Sequence, residues 1–208
     1  MGIPVIYRKG GEGAILTSNA IEAATGRGIV NIFLGDANSG ANTLVSNNQF
    51  KSSVGFIQAP DDVAIDLDFD LEIKTTFTIG GNTIVNMPFA LRTTSANNSW
   101  SRGIGLAIKK IVGGTETLLA SGSELMKDFV NNDVTKSKMF TANFNLPNTI
   151  LKKGDTLRFT INSPLTAAGS PNERNLFIGI DPADRKVDTQ TLSSGSQTVI
   201  FLPIRIDL

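Results

Sequence analysis

Between Ile65 and Ile73 the chain alternates without a break: Ile65, Leu67, Phe69, Leu71 and Ile73 are apolar, and Asp66, Asp68, Asp70 and Glu72 between them are acidic. Successive side chains of a strand point to opposite faces, so this stretch presents one apolar and one charged face. On a helix the same residues would scatter both classes around the cylinder and leave no face to bury. The pattern predicts a half-buried antiparallel strand whose phase runs on through Thr75, Phe77 and Ile79. Each buried apolar side chain contributes about 1.5–3 kcal/mol before the entropy of ordering is subtracted. A slip of one residue would carry the carboxylates into the core, so the register is fixed.

The same reading extends along the chain. Gly28–Leu34 is a strand closed by Gly35-Asp36, and Leu44, Val45 and Phe50 form a short edge piece. Gly80-Gly81-Asn82 supplies the positive φ of a tight hairpin and leads into Thr83–Leu91, where Pro88 indicates an edge or a bulge. Ile104, Leu106 and Ile108 alternate up to Gly113-Gly114, a second hairpin turn that leads into Thr115–Ala120. Residues 123–133 have the composition of one or two helical turns. Phe140, Ala142, Phe144 and Leu146 alternate again, with Pro147 as the stop. Lys152-Lys153-Gly154-Asp155 is a turn into Thr156–Ile161, and Leu176–Ile180 follows. The last strand, Thr198–Leu208, places Ile200, Leu202, Ile204, Ile206 and Leu208 on one face.

About eight or nine strands joined by turns, with no long helix between them, indicate an all-β fold: an antiparallel two-sheet sandwich of jelly-roll type. Unequal loop lengths favour a sandwich over a closed barrel. The domain is expected over residues 29–208. Residues 1–28 read instead as an extended N-terminal arm, with Pro4, Gly10-Gly11-Glu12-Gly13 and one possible helical turn at Ser18–Ala24.

Composition narrows the chemistry. The 208 residues contain no Cys and no His, which removes thiolate nucleophiles, zinc–sulfur sites and the side chain most used for proton transfer near neutral pH. Nineteen basic and 19 acidic residues give a formal net charge of +0, which disfavours nucleic acid as a partner and offers little resistance to self-association. No run reaches the roughly 20 apolar residues of a membrane helix, and the N-terminus has no apolar leader core. The expected product is soluble or assembled from soluble parts, without a membrane partner.

Asp61, Asp62, Asp66, Asp68, Asp70 and Glu72 form the densest acidic cluster. A flat row of carboxylates about 6.5–7 Å apart is a poor cage for a hard cation, so the row reads as a solvated face paired with cations of a neighbouring strand, and no metal or cofactor is assigned. Asp66 and Asp70 could be imagined as the acid and base of a glycosidase, but one Trp and one Tyr leave few platforms for sugar. Without His or Cys no hydrolytic triad can be built, so no catalytic residue is assigned. Lys109-Lys110, Lys152-Lys153 and Arg185-Lys186 lie beside turns and read as solubilising pairs. Candidate partner contacts are Ile3, Val5, Tyr7 and Arg8 of the arm, and Trp100 and Arg102 of a polar loop, where binding modules place anchors.

The order Gly28-Ile29-Val30-Asn31-Ile32-Phe33, Asp66–Leu71, Gly81–Pro88 and Leu151–Phe159 resembles small jelly-roll virion structural proteins of tailed bacteriophages and related viruses, over residues 24–165. The resemblance implies a non-enzymatic protein of the virion that decorates or cements a capsid shell, or sits on the head or tail. Its partners would be the major capsid protein or other virion proteins, together with copies of itself, a trimer being the favoured homo-oligomer. The alternative is a receptor- or carbohydrate-binding module of a phage tail or fibre.

Overall fold

The computed structural model describes residues 27–36, 43–50, 55–60, 64–93, 102–126, 134–163, 174–181 and 197–205. Their strands are β1 (Arg27–Asp36), β2 (Thr43–Ser46), β3 (Phe56–Pro60), β4 (Ile65–Glu72), β5 (Phe77–Thr93) and β6 (Arg102–Val112), followed by β7 (Thr115–Met126), β8 (Val134–Leu151), β9 (Thr156–Ser163), β10 (Arg174–Gly179) and β11 (Val199–Arg205). All pairings are antiparallel, and no helix occurs among the described residues.

The strands form two sheets, and the chain passes repeatedly from one to the other in the manner of a jelly roll. The larger, seven-stranded sheet has the order β2-β1-β11-β5-β10-β3, with β8 along the other side of β5; the smaller has the order β4-β9-β6-β7. Alternate residues of both sheets meet between them. Phe69, Ile104, Leu106, Ile108, Leu157, Phe159 and Ile161 come from the smaller sheet, and Ile32, Val85, Met87, Phe89, Phe140 and Ile200 from the larger. The acidic strand behaves as its alternation requires: Ile65, Phe69, Leu71 and Ile73 are buried, while Leu67 is half-buried at the margin of the core.

Both seams between the sheets are tied. On one side the Thr43 hydroxyl of β2 donates to the carbonyl of Asp68 in β4 at 2.6 Å. On the other, Lys138 of β8 pairs with Glu124 of β7, and the Phe144 ring lies against Gly122, where an added Cβ would stand 2.6 Å from a ring carbon.

Several local expectations change. The phase that runs from Ile73 to Phe77 and Ile79 is real, since all three are buried, but the strand breaks at a bend over Lys74 and Thr75, and the chain changes sheets there. Gly80-Gly81-Asn82 is no hairpin turn. β5 runs straight through it, and the positive φ of Gly81 (101°) serves a β-bulge, where the register against β8 shifts between Ile79 and Gly81. Gly80 is needed for another reason: a Cβ there would lie 2.9 Å from the Cα of Asn148. Pro147 lies on the β8 side of the same bulge and does not end its strand. Pro88 is in a strand paired on both sides, but it falls between the part of β5 held by β11, ending at Asn86, and the part held by β10, beginning at Phe89. A missing N–H costs little in that gap.

Residues 123–126 continue β7 and are not helical, β3 is an additional edge strand, and Arg27 and Gly28 already belong to β1. The Gly113-Gly114 hairpin forms as expected, both glycines having positive φ (55° and 83°). The arm residues 1–26, Ile206 and Leu208 lie outside the described residues.

The β8–β9 turn closes one end of the sandwich. Asp155, 7% exposed, accepts from the Lys152 backbone N–H at 2.8 Å and faces the Lys110 ammonium at 3.1 Å. Its own carbonyl accepts from the N–H of Ile73 at the end of β4. The Lys152 amide, followed by Lys110, holds the Asp155 carboxyl below its ordinary value. With the folded-state value the lower one, the ionised group stabilises the fold above the unfolded value of about 3.9, and this is lost as pH falls through the folded-state value. Asp155→Asn is expected to cost about 1–2 kcal/mol at pH 7. In urea denaturation at several pH values the gap to the unaltered chain should close in acid; a gap independent of pH would contradict this role.

Candidate functional site

The acidic strand meets its counter-charge through register alone. β4 pairs with β9 so that Asp70 stands opposite Arg158, Asp68 opposite Thr160 and Asp66 opposite Asn162, all on the outer face of the smaller sheet. Leu71, Phe69 and Leu67 stand opposite Leu157, Phe159 and Ile161 on the inner face. The Arg158 guanidinium grips Asp70 with Nε and Nη2, both at 2.7 Å, and reaches Asp68 at 2.7 Å and Glu116 of β7 at 2.6 Å through Nη1. Thr160 donates to Asp68 at 2.6 Å, Lys109 donates to the other oxygen of Glu116 at 3.0 Å, and Lys74 pairs with Glu72.

This arrangement is a closed ion-pair network across β4, β9, β6 and β7. Hydrogen bonding by Asp70, reinforced by the charges of Asp70, Asp68 and Glu116, raises the Arg158 pKa further, so the cation is permanent. Lys109, followed by Arg158, holds the Glu116 carboxyl below its usual value. Fixed charges of this kind position strands and set the polarity of a face. Asp66 and Asp70, four residues apart on one strand, stand about 13 Å apart along it, beyond the roughly 5–9.5 Å of a glycosidase pair. No group of three or more Asp or Glu among the described residues is placed to hold a metal ion.

The Lys109-Lys110 pair is not merely solubilising. Lys109 belongs to the network, and Lys110, besides facing Asp155, donates to the carbonyl of Ile150 at 2.7 Å. They join the hairpin to the rest of the sandwich.

Of the candidate partner contacts, Ile3, Val5, Tyr7, Arg8 and Trp100 lie outside the described residues, as do Arg185 and Lys186. Arg102 is placed, and its position corrects the expectation of a loop-tip anchor. It opens β6 and is 0% exposed, the largest fully buried side chain described. Its Nε donates to the Ser163 hydroxyl at 2.9 Å and Nη2 approaches the Ser163 carbonyl at 3.4 Å, while the same hydroxyl donates to the carbonyl of Gly103. The polar run before it concealed the inward turn, because the phase of Ile104, Leu106 and Ile108 carries back to position 102.

The outer face of the larger sheet has the opposite character. One cross-strand row runs Asn31–Phe201–Ile84–Asn143 through β1, β11, β5 and β8, and Ile29 pairs with Pro203 beside it. Ile29 is 57% and Ile84 41% exposed. Near the Gly80–Gly81 bulge this face dips into a groove of about 580 Å³ lined by Ile79, Gly80, Gly81, Asn148, Pro203 and Arg205, among others. The sandwich thus has one charged face and one apolar and amide-rich face.

No family model and no curated protein matches the chain. Solved structures match its fold. A CocE/NonD family hydrolase from Staphylococcus aureus superposes with a TM-score of 0.54 at 12% identity, over 86% of this chain and 36% of that one. An alpha-amino acid ester hydrolase gives 0.53 at 12% identity, over 85% and 36%. An aminopeptidase from a marine sediment archaeon, a Thaumarchaeota archaeon, gives 0.51 at 11% identity, over 86% and 37%. The chain therefore spans little more than a third of the length of these proteins, and at such identities the likeness is one of fold: the same type of β-sandwich occurs here and within those larger chains.

Proposed function

We propose that the chain is a non-enzymatic structural protein of a virus particle, which decorates or cements a phage capsid shell through its N-terminal segment and the surface of its sandwich. The observation that carries this reading is the division of the sandwich into two faces. Its densest charges are locked to one another around Arg158, whereas the opposite face offers partly apolar surface with few charges, of the composition that protein contacts use. The sequence resemblance over residues 24–165 supplies the setting. The partners are the shell protein and further copies of the chain.

Removing residues 1–13 is expected to leave the sandwich folded and to abolish co-sedimentation of the chain with empty shells of its source particle. Undiminished co-sedimentation of a folded, truncated chain would contradict the role given to the arm.

A second reading is favoured by the fold comparisons: a sandwich module that forms part of a longer hydrolase chain. The intact mass of the natural product separates the two. A species of 22.1 kDa agrees with a free-standing virion component, and a much larger one with the module reading.

A further inference from the structure

We infer that the outer face of the larger sheet is the surface through which two copies of this chain pair, face to face about a two-fold axis. This rests on the assembly reading, names the surface and its occupant, and puts a pair in place of the trimer expected from the sequence.

Strand alternation fixes which residues point outward. Val30, Ile32, Val85, Ile200 and Leu202 fill the core, so their neighbours Ile29, Asn31, Ile84, Phe201 and Pro203 stand on the other side of the sheet. Phe201 and Ile84 are directly opposite each other, as are Ile29 and Pro203, and together they form an apolar centre. Around it stand amides: Asn82 opposite Asn145, Asn86 beside Thr141, and Asn143 next to Ile84. Among the described side chains of this region the one charge, Arg205, stands at its end.

This chemistry favours a second copy. At a two-fold interface one patch meets its own copy, residue i against j and j against i, so the patch must complement itself. Aliphatic and aromatic side chains do so by burial. An amide does so as well, because it carries both donor and acceptor and can pair with another amide in either sense. The opposite face is less suited, since its carboxylates and Arg158 already pair within one copy, and a second copy would have to desolvate or re-pair them.

Area supports the same choice. Four strands at about 4.8 Å spacing and some eight residues at about 3.3 Å give a footprint of roughly 500 Å² on each copy. The total of roughly 1,000 Å² is at the threshold for a specific pair, so the association should depend on concentration in the micromolar range.

The test is sedimentation velocity of the full chain between about 1 and 500 µM, beside Ile84→Asp, Asn143→Asp and, as a control on the charged face, Leu118→Asp. Asn143 is exposed at the sheet edge, so Asn143→Asp should keep the fold even if Ile84→Asp weakens it. The inference expects a doubling of mass with concentration and a dissociation constant raised at least about tenfold by Asn143→Asp and Ile84→Asp. Leu118→Asp should change neither. A chain that stays monomeric over the whole range overturns it, as does a trimer, whose ring joins unlike patches, or a dimer indifferent to Asn143→Asp. A monomer in which Asn143→Asp abolishes shell binding would assign the face to another virion protein, and would also overturn it. Because these runs use the isolated chain, pairing can fail while shell attachment succeeds, and the converse.

Discussion

Arg102→Ala is expected to lower the free energy of unfolding by about 3–5 kcal/mol, enough to bring a domain of ordinary stability near its limit. The guanidinium is wholly enclosed where β6 begins, and it ties that strand to the last residue of β9 through the hydroxyl and carbonyl of Ser163. Truncation leaves a cavity of side-chain size and strips partners from groups that water cannot reach. Arg102→Met, which fills the space without the charge, should recover part of the loss, since a buried ion is often replaced at little cost by an apolar side chain of similar volume. Urea denaturation followed by tryptophan fluorescence or circular dichroism measures both. A loss under about 1 kcal/mol for Arg102→Ala would return the residue to the surface, where it would act as a contact.

Phe159→Ala is expected to cost a similar amount, about 3–5 kcal/mol. Phe159 is 0% exposed, stands opposite Phe69 in β4 and Ile108 in β6, and so lies at the centre of the smaller sheet's inner face. Its removal opens a cavity that strands held on both sides cannot collapse to fill. Phe159→Leu keeps most of the volume and should cost under about 1.5 kcal/mol. Leu118→Ala, on a side chain 58% exposed, should stay within about 0.5 kcal/mol. Equal effects for Phe159→Ala and Leu118→Ala in the same denaturation experiment would contradict the inner and outer assignment of the two faces.

What the sequence reveals depends on whether a signal is local. Alternation is local, so β4, β6, β9 and β11 are legible, and with them most of the core. Gly113-Gly114 is legible for the same reason. Gly80-Gly81-Asn82 misleads because a tight turn and a bulge make the same demand for positive φ, and only the partner strand decides between them. β8 decides it here, with Pro147 and Asn148 accommodated opposite the bulge. Pro88 misleads likewise: its tolerance in the middle of a sheet rests on the gap between β11 and β10, which no stretch of sequence near it reveals.

The acidic row was legible as a paired face, but not its counter-ion. Arg158 lies 88 positions from Asp70 and is found only by setting Leu71 opposite Leu157. Such a register could have been tried from sequence, since Arg158 is the outward cation between Thr156 and Thr160 of an alternating strand. Arg102 shows the converse. A cation after a polar loop reads as surface, and only continuing the inward phase of Ile104 and Leu106 backwards would have placed it inside.

The central proposal is that this chain is a lattice-bound component of a particle, and its abundance tests that most directly. Quantitative mass spectrometry of particles purified from the source, counted against the major shell protein, is expected to find the chain in fixed proportion to the lattice. Its absence from purified particles, or its presence only as part of a longer hydrolase chain, would contradict the proposal.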